Sequence, residues 1–416
     1  MTTIPLNTRP AQPPAAPLPP AAPTAERKPG LGRGLLLLMS AATGLSVASN
    51  YFAHPLLDLF SRELQLSTSM AAMIVTAAQI GYGVGLLLLV PLGDLLERRG
   101  LAVGLFGVTA LALLVSAAAP NGAVLMAGTI LTAFASVAAQ VLVPFAAALA
   151  APAERGRVVG TVMTGLLLGA LLSRTVSGGL SELGGWRTVY WVNALLMAAM
   201  AALLWRFLPR MKNDVGLAYP ALIRSTIMLF KEEPVLRWRA GMGALSFAGF
   251  NGVWVALAFL LAREPYGWSE AAIGLFGLVG IGGPIAASVA GRQTDRGRVQ
   301  LVTAVGAIGM LASWGLLAFG AGSLPLLLGG LIVLALTQQG LLIANQNVVY
   351  ALRPEARNRL NSAFMTSNFA GGAAGSFLTS VAWMQAGWRG VSILGAIFAA
   401  ATLVLWLLER ARAKAA

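Results

Sequence analysis

Stretches of about 20 apolar residues recur along this chain, and this recurrence restricts its fold more than any other feature. Each stretch can cross the ~30 Å hydrocarbon core of a bilayer as a helix, at ~1.5 Å per residue. The recurrence predicts an all-α membrane protein with twelve transmembrane helices embedded in a lipid bilayer. The predicted spans 1 to 12 are residues 34–57, 69–92, 101–119, 123–150, 158–181, 188–207, 240–262, 271–291, 299–320, 325–351, 360–385 and 390–408.

The composition agrees with many membrane crossings and excludes several function classes. Apolar residues make up 57% of the 416 residues, which is too much for a soluble globular protein. The chain has no cysteine and a single histidine, His54, so we predict neither a disulfide nor a metal site. The net charge of +14 does not indicate nucleic-acid binding, because the basic residues are spread over the tails and the connections between spans and form no basic face on a soluble domain.

The basic residues also predict the orientation of the chain. Most of the 29 lysines and arginines fall in connections on the same side as the amino terminus. Because Lys and Arg concentrate on the cytosolic side of membrane proteins, both termini are predicted to be cytosolic. The opposite loops hold Arg62, Arg187, Arg263 and Arg389.

One long connection divides the spans into two groups of six. It carries many charges and is predicted to be cytosolic, with a helix lying on the membrane surface. The first residues are rich in Pro and Ala and have no apolar core, so they are predicted to be disordered. The predicted organisation is a tail (1–33), an N-terminal six-helix half (34–207), the linker (208–239), a C-terminal six-helix half (240–408) and a cytosolic tail (409–416).

Short sequence pairs indicate that the two halves are repeats. "PAERGRVVGTV" begins at Pro152 and "PEARNRLNSAF" begins at Pro354, an interval of 202 residues. The same interval separates Trp186 of "GGWRTV" from Trp388 of "AGWRGV". A duplicated six-span unit is therefore predicted, and parallel repeats of this kind are a transporter architecture.

Two loops carry a resemblance to a known family. "GRQTDRGR", residues 291–298, resembles the loop signature of the major facilitator superfamily, G-x-x-x-D-R-x-G-R-R, after a one-residue deletion. "VPLGDLLERR" resembles a first-half copy, from which Val90, Leu95 and Glu97 depart. "GLLLGALLSRTVSGG" and "NYFAHPLLDLF" look like the bacterial 12-span drug:proton antiporter branch. The matching loop residues are Gly291, Asp295, Arg296, Gly297 and Arg298, with Asp94, Arg98 and Arg99 in the first half.

The resemblance implies the major facilitator fold, two pseudo-symmetric six-helix halves in a bacterial inner membrane. It places the acid of each loop near the amino end of span 11 or span 5, where a helix dipole favours a carboxylate. Asp94 with Arg98, and Asp295 with Arg296, are then candidate latches of the cytosolic face, the Asp94 copy being the weaker. The alternative is that both acids only balance neighbouring arginines.

Candidate cargo contacts are amides and aromatic residues inside the spans. In span 7, Phe247, Asn251 and Trp254 share one helical face. Amides with aromatic rings suit an amphipathic or polar aromatic solute, but buried amides also hold membrane helices together. The further candidates are Asn50 and His54 in span 1, Gln339 and Gln346 in span 10, and Asn368 in span 11.

Arg174 is a charged residue within apolar span 5. An arginine in the middle of a membrane helix costs roughly 2.5–3.5 kcal/mol on insertion scales, so it is expected to face a partner or a wet cavity. Counting helical rise from the cytosolic side brings Asp58 and His54 to a similar depth. Asp58 is the predicted counter-charge and His54 the titratable neighbour, and the alternative is that Arg174 snorkels to the interface.

The sequence thus predicts a monomeric secondary transporter of small organic solutes, working by alternating access and most consistent with proton-coupled efflux. One alternative is a proton symporter or facilitator that imports a nutrient, and another is a transporter-like receptor that moves nothing. No enzyme is predicted, because the sequence shows no group of residues that could serve as a nucleophile with its base, as a set of metal ligands or as an acid/base pair. No cofactor is expected, and no G-x-x-x-x-G-K-[ST] motif for ATP occurs.

Overall fold

The computed structural model describes residues 32–151, 154–212, 218–353 and 356–415, and these are helical almost throughout. Within them, the only β pairing is an isolated bridge between Glu97 and Lys212. The predicted all-α class is confirmed, while residues 1–31 of the predicted disordered tail lie outside the described residues. The α-helices are α1 (Arg33–Ala48), α2 (Leu57–Glu63), α3 (Thr68–Leu88), α4 (Arg98–Ala117), α5 (Gly122–Ala135), α6 (Ala138–Leu149), α7 (Arg155–Phe207), α8 (Tyr219–Glu232), α9 (Pro234–Leu261), α10 (Glu270–Leu275), α11 (Gly283–Asp295), α12 (Val299–Ala318), α13 (Leu324–Leu352) and α14 (Arg357–Ala415).

Nine helical segments of the described chain are long and apolar enough to cross a membrane. Two of them are far longer than one crossing needs, since α7 has 53 residues and α14 has 59. Each contains a break in the helix, at Gly184–Gly185 and at Ala386–Gly387. The first apolar helix, α1, has only 16 residues and is followed by a 3₁₀ turn, His54–Leu56, and by α2. The count of twelve spans stays a prediction.

The two helix breaks fall at equivalent places in the sequence repeat. Gly185 has a φ of +75° and Gly387 a φ of +55°, a region of backbone space that favours glycine. Each glycine directly precedes a buried tryptophan, Trp186 or Trp388. The landmarks Trp186 and Trp388 thus mark the points at which the two long helices are broken, while Pro152 and Pro354 lie outside the described residues.

Glycines bring the helices of the first half close together. A Cβ atom on Gly169 of α7 would clash with the backbone of Gly44 in α1, and one on Gly165 would clash with Ser40. Small residues at such crossings let backbones approach and gain van der Waals contact, which is what drives helix association in lipid.

The two halves meet along two helix pairs. Helix α3 packs against α14, where the Tyr82 and Phe369 ring centroids lie 4.3 Å apart and the Ser362 hydroxyl donates to the Leu86 carbonyl at 2.8 Å. Helix α7 packs against α10, where a Cβ atom on Gly274 would stand 2.5 Å from the Arg174 carbonyl oxygen. These pairs join helices that precede α8 to helices that follow it.

Contacts between the two halves occur on both sides of the bundle. We call the side where α1 begins the termini side, and the opposite side the far side. On the far side, Arg62 binds Glu270 at 2.6 Å across the two halves. On the termini side, a cavity between the halves is lined by Asp94 and Arg98 of the first half and by Asn358 and Arg359 of α14.

The predicted linker contains a short amphipathic helix and ends earlier than expected. Helix α8 buries Leu222, Thr226 and Leu229, and its location on the membrane surface stays a prediction. Helix α9 already begins at Pro234, a residue suited to the first turn of a helix.

A buried ion pair extends the bundle beyond the predicted span ends. Arg239, placed in the linker by the sequence, is buried in α9 and binds Glu409 of α14 at 2.7 Å. It also donates to Thr303 and Asn345. Residues 234–239 and Glu409 therefore belong to the helical bundle, because each charge neutralises the other.

Candidate substrate site

Arg174 lies buried between the two halves, enclosed by aromatic rings. Its side chain is 7% exposed, and its guanidinium carbon stands 4.2 Å from the Trp254 ring centroid and 4.9 Å from that of Tyr51. Tyr51 belongs to the first half and Trp254 to the second. The guanidinium therefore holds a cation–π contact with each half at once.

The predicted pair of Arg174 and Asp58 is wrong for this conformation. Asp58 binds Arg62 at 2.8 Å, one helical turn along α2, and Arg62 in turn binds Glu270. The physical reason is that α1 ends at Ala48, and the turn and 3₁₀ segment after it carry Asp58 onto the separate helix α2 at the far side. Within the described chain, no carboxylate comes within ion-pair distance of Arg174.

Arg174 consequently has few polar partners. Its Nη1 donates to the Ala170 carbonyl at 3.5 Å, the limit of a hydrogen bond. Its Nε has no hydrogen-bond partner among the described residues, and the Nε1 of Trp254 has none either. Because buried polar groups are nearly always paired, these two donors mark an incomplete site.

His54 lies next to this group, as its depth in the sequence predicts. Its ring centroid is 5.6 Å from that of Tyr51, and its Nδ1 is 3.1 Å from the Tyr51 carbonyl oxygen. A carbonyl accepts, so Nδ1 carries the proton and Nε2 is left as an acceptor. Nε2 is buried with no hydrogen-bond partner in the described structure, although Asn251 lies beside the ring.

Amides of both halves meet beside His54. Gln79 of α3 donates to the Asn251 oxygen at 3.2 Å, and Asn251 donates to the Ser376 hydroxyl at 2.7 Å. The Gln79 oxygen and both polar atoms of the Asn50 side chain are buried without partners among the residues described. We call Tyr51, His54, Arg174, Asn251 and Trp254 together the central site.

The other predicted cargo contacts lie further toward the termini side. Phe247 packs against Phe369, with ring centroids 5.2 Å apart. Gln346 and Asn368 both donate to the sulfur of Met365, at 3.7 and 3.9 Å.

Gln339 stands apart from these residues, against Gly283 of α11. The structure thus brings Asn251, Trp254, His54 and Arg174 together, and it separates Gln339, Gln346 and Asn368 from them.

The two candidate latches differ in this conformation. Asp94 lies 3.8 Å from Arg98, and both line a cavity with Asn358 and Arg359 at the start of α14, where the family resemblance places this acid. Asp295 is exposed at the end of α11 and forms no ion pair with any described residue, and Arg296 is also exposed. The copy expected to be weaker is the one engaged in this conformation.

This difference predicts unequal effects on stability. Burial raises the pKa of the Asp94 carboxyl even though Arg98 lies 3.8 Å away, so the cost of burying this charge exceeds the gain from the ion pair. We therefore expect Asp94→Asn to raise the unfolding temperature of the purified protein slightly. Asp295→Asn is the matched control and should leave that temperature unchanged, while still impairing transport if Asp295 latches the opposite conformation. Equal unfolding temperatures for both variants would contradict the assignment of Asp94.

Sequence reasoning missed Tyr51, Gln79, Ser376 and the pair of Arg239 with Glu409. Gln79 had a usable signal, since it is an amide within the otherwise apolar stretch "AAQIG" of span 2. Tyr51 and Ser376 had none, because their roles depend on contacts between helices distant in the chain.

The comparisons with known proteins agree with this architecture. The sequence profile described as Major Facilitator Superfamily matches residues 39–288 and again residues 239–416. The chain belongs to the major facilitator superfamily. It is therefore a multi-pass membrane transporter of the major facilitator type and not an enzyme.

Individual relatives are also transporters. The chain is 50% identical over 376 residues to the uncharacterized transporter YgaY of Escherichia coli, covering 90% of this chain and 95% of that one. It is 33% identical over 403 residues to SCO4007 of Streptomyces coelicolor, which is named as a probable transporter, covering 90% and 89%.

Among solved structures, a bacterial homolog of the human lysosomal transporter Spinster, in an inward-facing and occupied conformation, has the same fold. It superposes with a TM-score of 0.71 over 90% of this chain and 96% of its own, at 14% identity. Members of the superfamily bind small-molecule substrates within the membrane.

Proposed function

We propose that this transporter exports small organic solutes from bacterial cells by alternating access, coupled to proton entry. The observation that carries the proposal is the central site, where a buried cation, an imidazole and unpaired donors lie between the two halves. A site shared by two halves is exposed to one side and then the other when the halves rock. We further propose that the protein acts as a monomer in the inner membrane, with both termini cytosolic.

The distribution of Lys and Arg supports cytosolic termini, so the termini side faces the cytosol in this proposal. Arg62 with Glu270 and the contact of α7 with α10 then join the two halves on the outer side. Export requires these outer contacts to break after the cargo has bound.

His54 is the group we assign to proton coupling. It is the single histidine of the chain, it is buried at the central site, and its Nε2 can accept a proton. A proton on His54 would bring a second positive charge close to Arg174, so protonation alters how the site holds a charged solute.

One observation favours a second candidate, proton symport. Because His54 neighbours Arg174, a negatively charged solute would hold both positive groups at once, and proton and solute would then travel together. In an exchanger, the proton must instead displace the solute. The direction of proton movement relative to solute separates the two functions.

The test is flux in inverted membrane vesicles carrying the wild-type chain or His54→Gln, with a panel of radiolabelled aromatic acids, amides and amines. Export coupled to proton entry predicts that an acid vesicle interior drives solute uptake, and that solute uptake releases protons from the interior. Symport predicts that solute and protons cross in the same direction, so an acid interior drives solute out of preloaded vesicles and opposes its uptake. No flux of any compound above empty-vector vesicles would contradict transport, and an unchanged pH profile in His54→Gln would remove the histidine from coupling.

A further inference from the structure

We propose that the cargo of this transporter is a small organic anion, whose carboxylate or similar group supplies the missing counter-charge of Arg174. This proposal rests on the proposed function, because it names the class of solute that the central site carries. It holds for either direction of proton coupling.

The first step of the argument is the charge of the central site. Arg174 is 93% buried, since its exposed fraction is 7%, and within the described chain no carboxylate reaches it. Asp58, the counter-charge predicted from the sequence, is engaged by Arg62. A buried charge is normally paired or bound to a ligand, so the site lacks one negative group.

The second step is the polarity of the unpaired atoms that surround the charge. Arg174 Nε and Trp254 Nε1 are both buried donors without acceptors in the described structure, and the Arg174 guanidinium carbon lies 4.2 Å from the Trp254 ring centroid. Two donors and a positive charge at one place fit an anionic acceptor such as a carboxylate. A cationic solute would meet repulsion there, and no described acid lies at the central site to offset it.

The third step is the row of aromatic side chains beside the central site. Along α9, the ring centroids of Phe247 and Phe250 lie 6.2 Å apart, and those of Phe250 and Trp254 lie 6.3 Å apart. Phe247 and Phe250 are half-buried, and Phe369 packs on Phe247 from α14. This row of rings runs from Trp254, beside Arg174, through Phe250 to Phe247 on the termini side. It suits the flat, apolar body of a solute whose charged end binds Arg174.

An anionic cargo also has a consequence for direction. An inside-negative membrane potential drives an anion out of the cell, so export of such a solute is electrically downhill.

The structure offers a test that needs no knowledge of the natural cargo. Arg239 is a second buried arginine, but it is neutralised by Glu409 at 2.7 Å. Arg239→Met leaves Glu409 buried and unpaired, so it should lower the unfolding temperature of the ligand-free protein. Arg174→Met removes a charge that has no counter-charge, so the unfolding temperature should stay level or rise. A strong fall for Arg174→Met would show that Arg174 is a structural contact only and would overturn the proposal.

The second arm measures binding with matched pairs of compounds. The purified full chain in nanodiscs is titrated with benzoate against benzamide, and with indole-3-acetate against indole-3-acetamide, while tryptophan fluorescence and unfolding temperature are recorded. We expect each carboxylate to bind at least tenfold more tightly than its amide in wild type, and Arg174→Met to abolish that preference. Absence of any charge preference in wild type, or a preference kept in Arg174→Met, overturns the anion assignment.

Flux of the same compounds then separates the two proposals. Carboxylate binding without flux in vesicles would contradict the proposed transport and leave the anion assignment supported. Flux that is equal for carboxylates and amides, and unchanged in Arg174→Met, would contradict the anion assignment and leave transport supported.

Discussion

Gly274→Val is expected to abolish most transport while leaving the amount of folded protein in the membrane close to wild type. A Cβ atom at this position in α10 would stand 2.5 Å from the Arg174 carbonyl oxygen of α7, and the Thr175 hydroxyl donates to the Gly274 carbonyl at 3.0 Å. These contacts join the two halves only when the far side is closed. A larger side chain therefore destabilises the closed far side without disturbing packing inside either half.

The size of the effect follows from the cost of the clash. Overpacking costs about 1–3 kcal/mol, which moves a conformational equilibrium by between about 5- and 150-fold. The carrier should then remain open on the far side, and turnover should fall on the order of tenfold or more.

The chain has no cysteine, so single cysteines report the conformation without background. Ser181→Cys lies buried in α7 near the far side and should become reactive in the Gly274→Val background. Thr164→Cys, exposed toward the termini side of α7, should become less reactive. Gly179→Val is the matched control, because nothing within 4 Å would meet its Cβ atom. Equal losses in both valine variants, or wild-type flux in Gly274→Val, would refute the far-side contact as a gate.

Gly169→Val is expected to cause loss of folded protein rather than a change of conformation. Its Cβ atom would clash with the backbone of Gly44, and both residues belong to the first half. Rocking of the halves does not separate α1 from α7, so no conformation relieves the clash. We expect the free energy of unfolding to fall by about 3 kcal/mol or more, since backbone atoms cannot move aside as a flexible side chain does.

The measurement is the yield of monodisperse protein after detergent extraction, together with its unfolding temperature. Gly160→Val is the control on the same helix, because the space around Gly160 is open and the change in side-chain size is identical. Normal yield and stability of Gly169→Val would show that α1 and α7 can separate without loss of the fold. The pair of glycine experiments thus distinguishes packing within a half from packing between halves.

Several elements of the fold could be predicted from the sequence. The apolar stretches predicted helices long enough for a bilayer, because hydrophobic length is a property of consecutive residues. The "GGWR" and "AGWR" pair predicted equivalent points in two repeats, and the structure places a helix break with a left-handed glycine at each. The start of α9 at Pro234 was not predicted, because the charges that follow Pro234 are typical of a linker. In the folded chain Glu409 neutralises one of these charges, Arg239.

The candidate site was only partly predictable. Sequence singled out Arg174, His54, Asn251 and Trp254, and these residues come together. It assigned the wrong partner to Arg174, because a depth calculation along straight helices does not include the turn after α1. It also missed Tyr51, which approaches Arg174 through that same turn.

The sequence by itself determined that this chain is a helical membrane protein of two repeated halves, and that a charge is buried in its fifth span. Only the tertiary structure decided what that charge contacts. Hydrophobicity and helical rise act along one segment, whereas the partner of a side chain depends on how helices rotate and cross. Those rotations are set by close glycine contacts such as that of Gly44 with Gly169, between residues far apart in the chain. For this reason Asp58, which a count along straight helices brings to the depth of Arg174, binds Arg62 on the far side, while Arg174 lies between Tyr51 and Trp254.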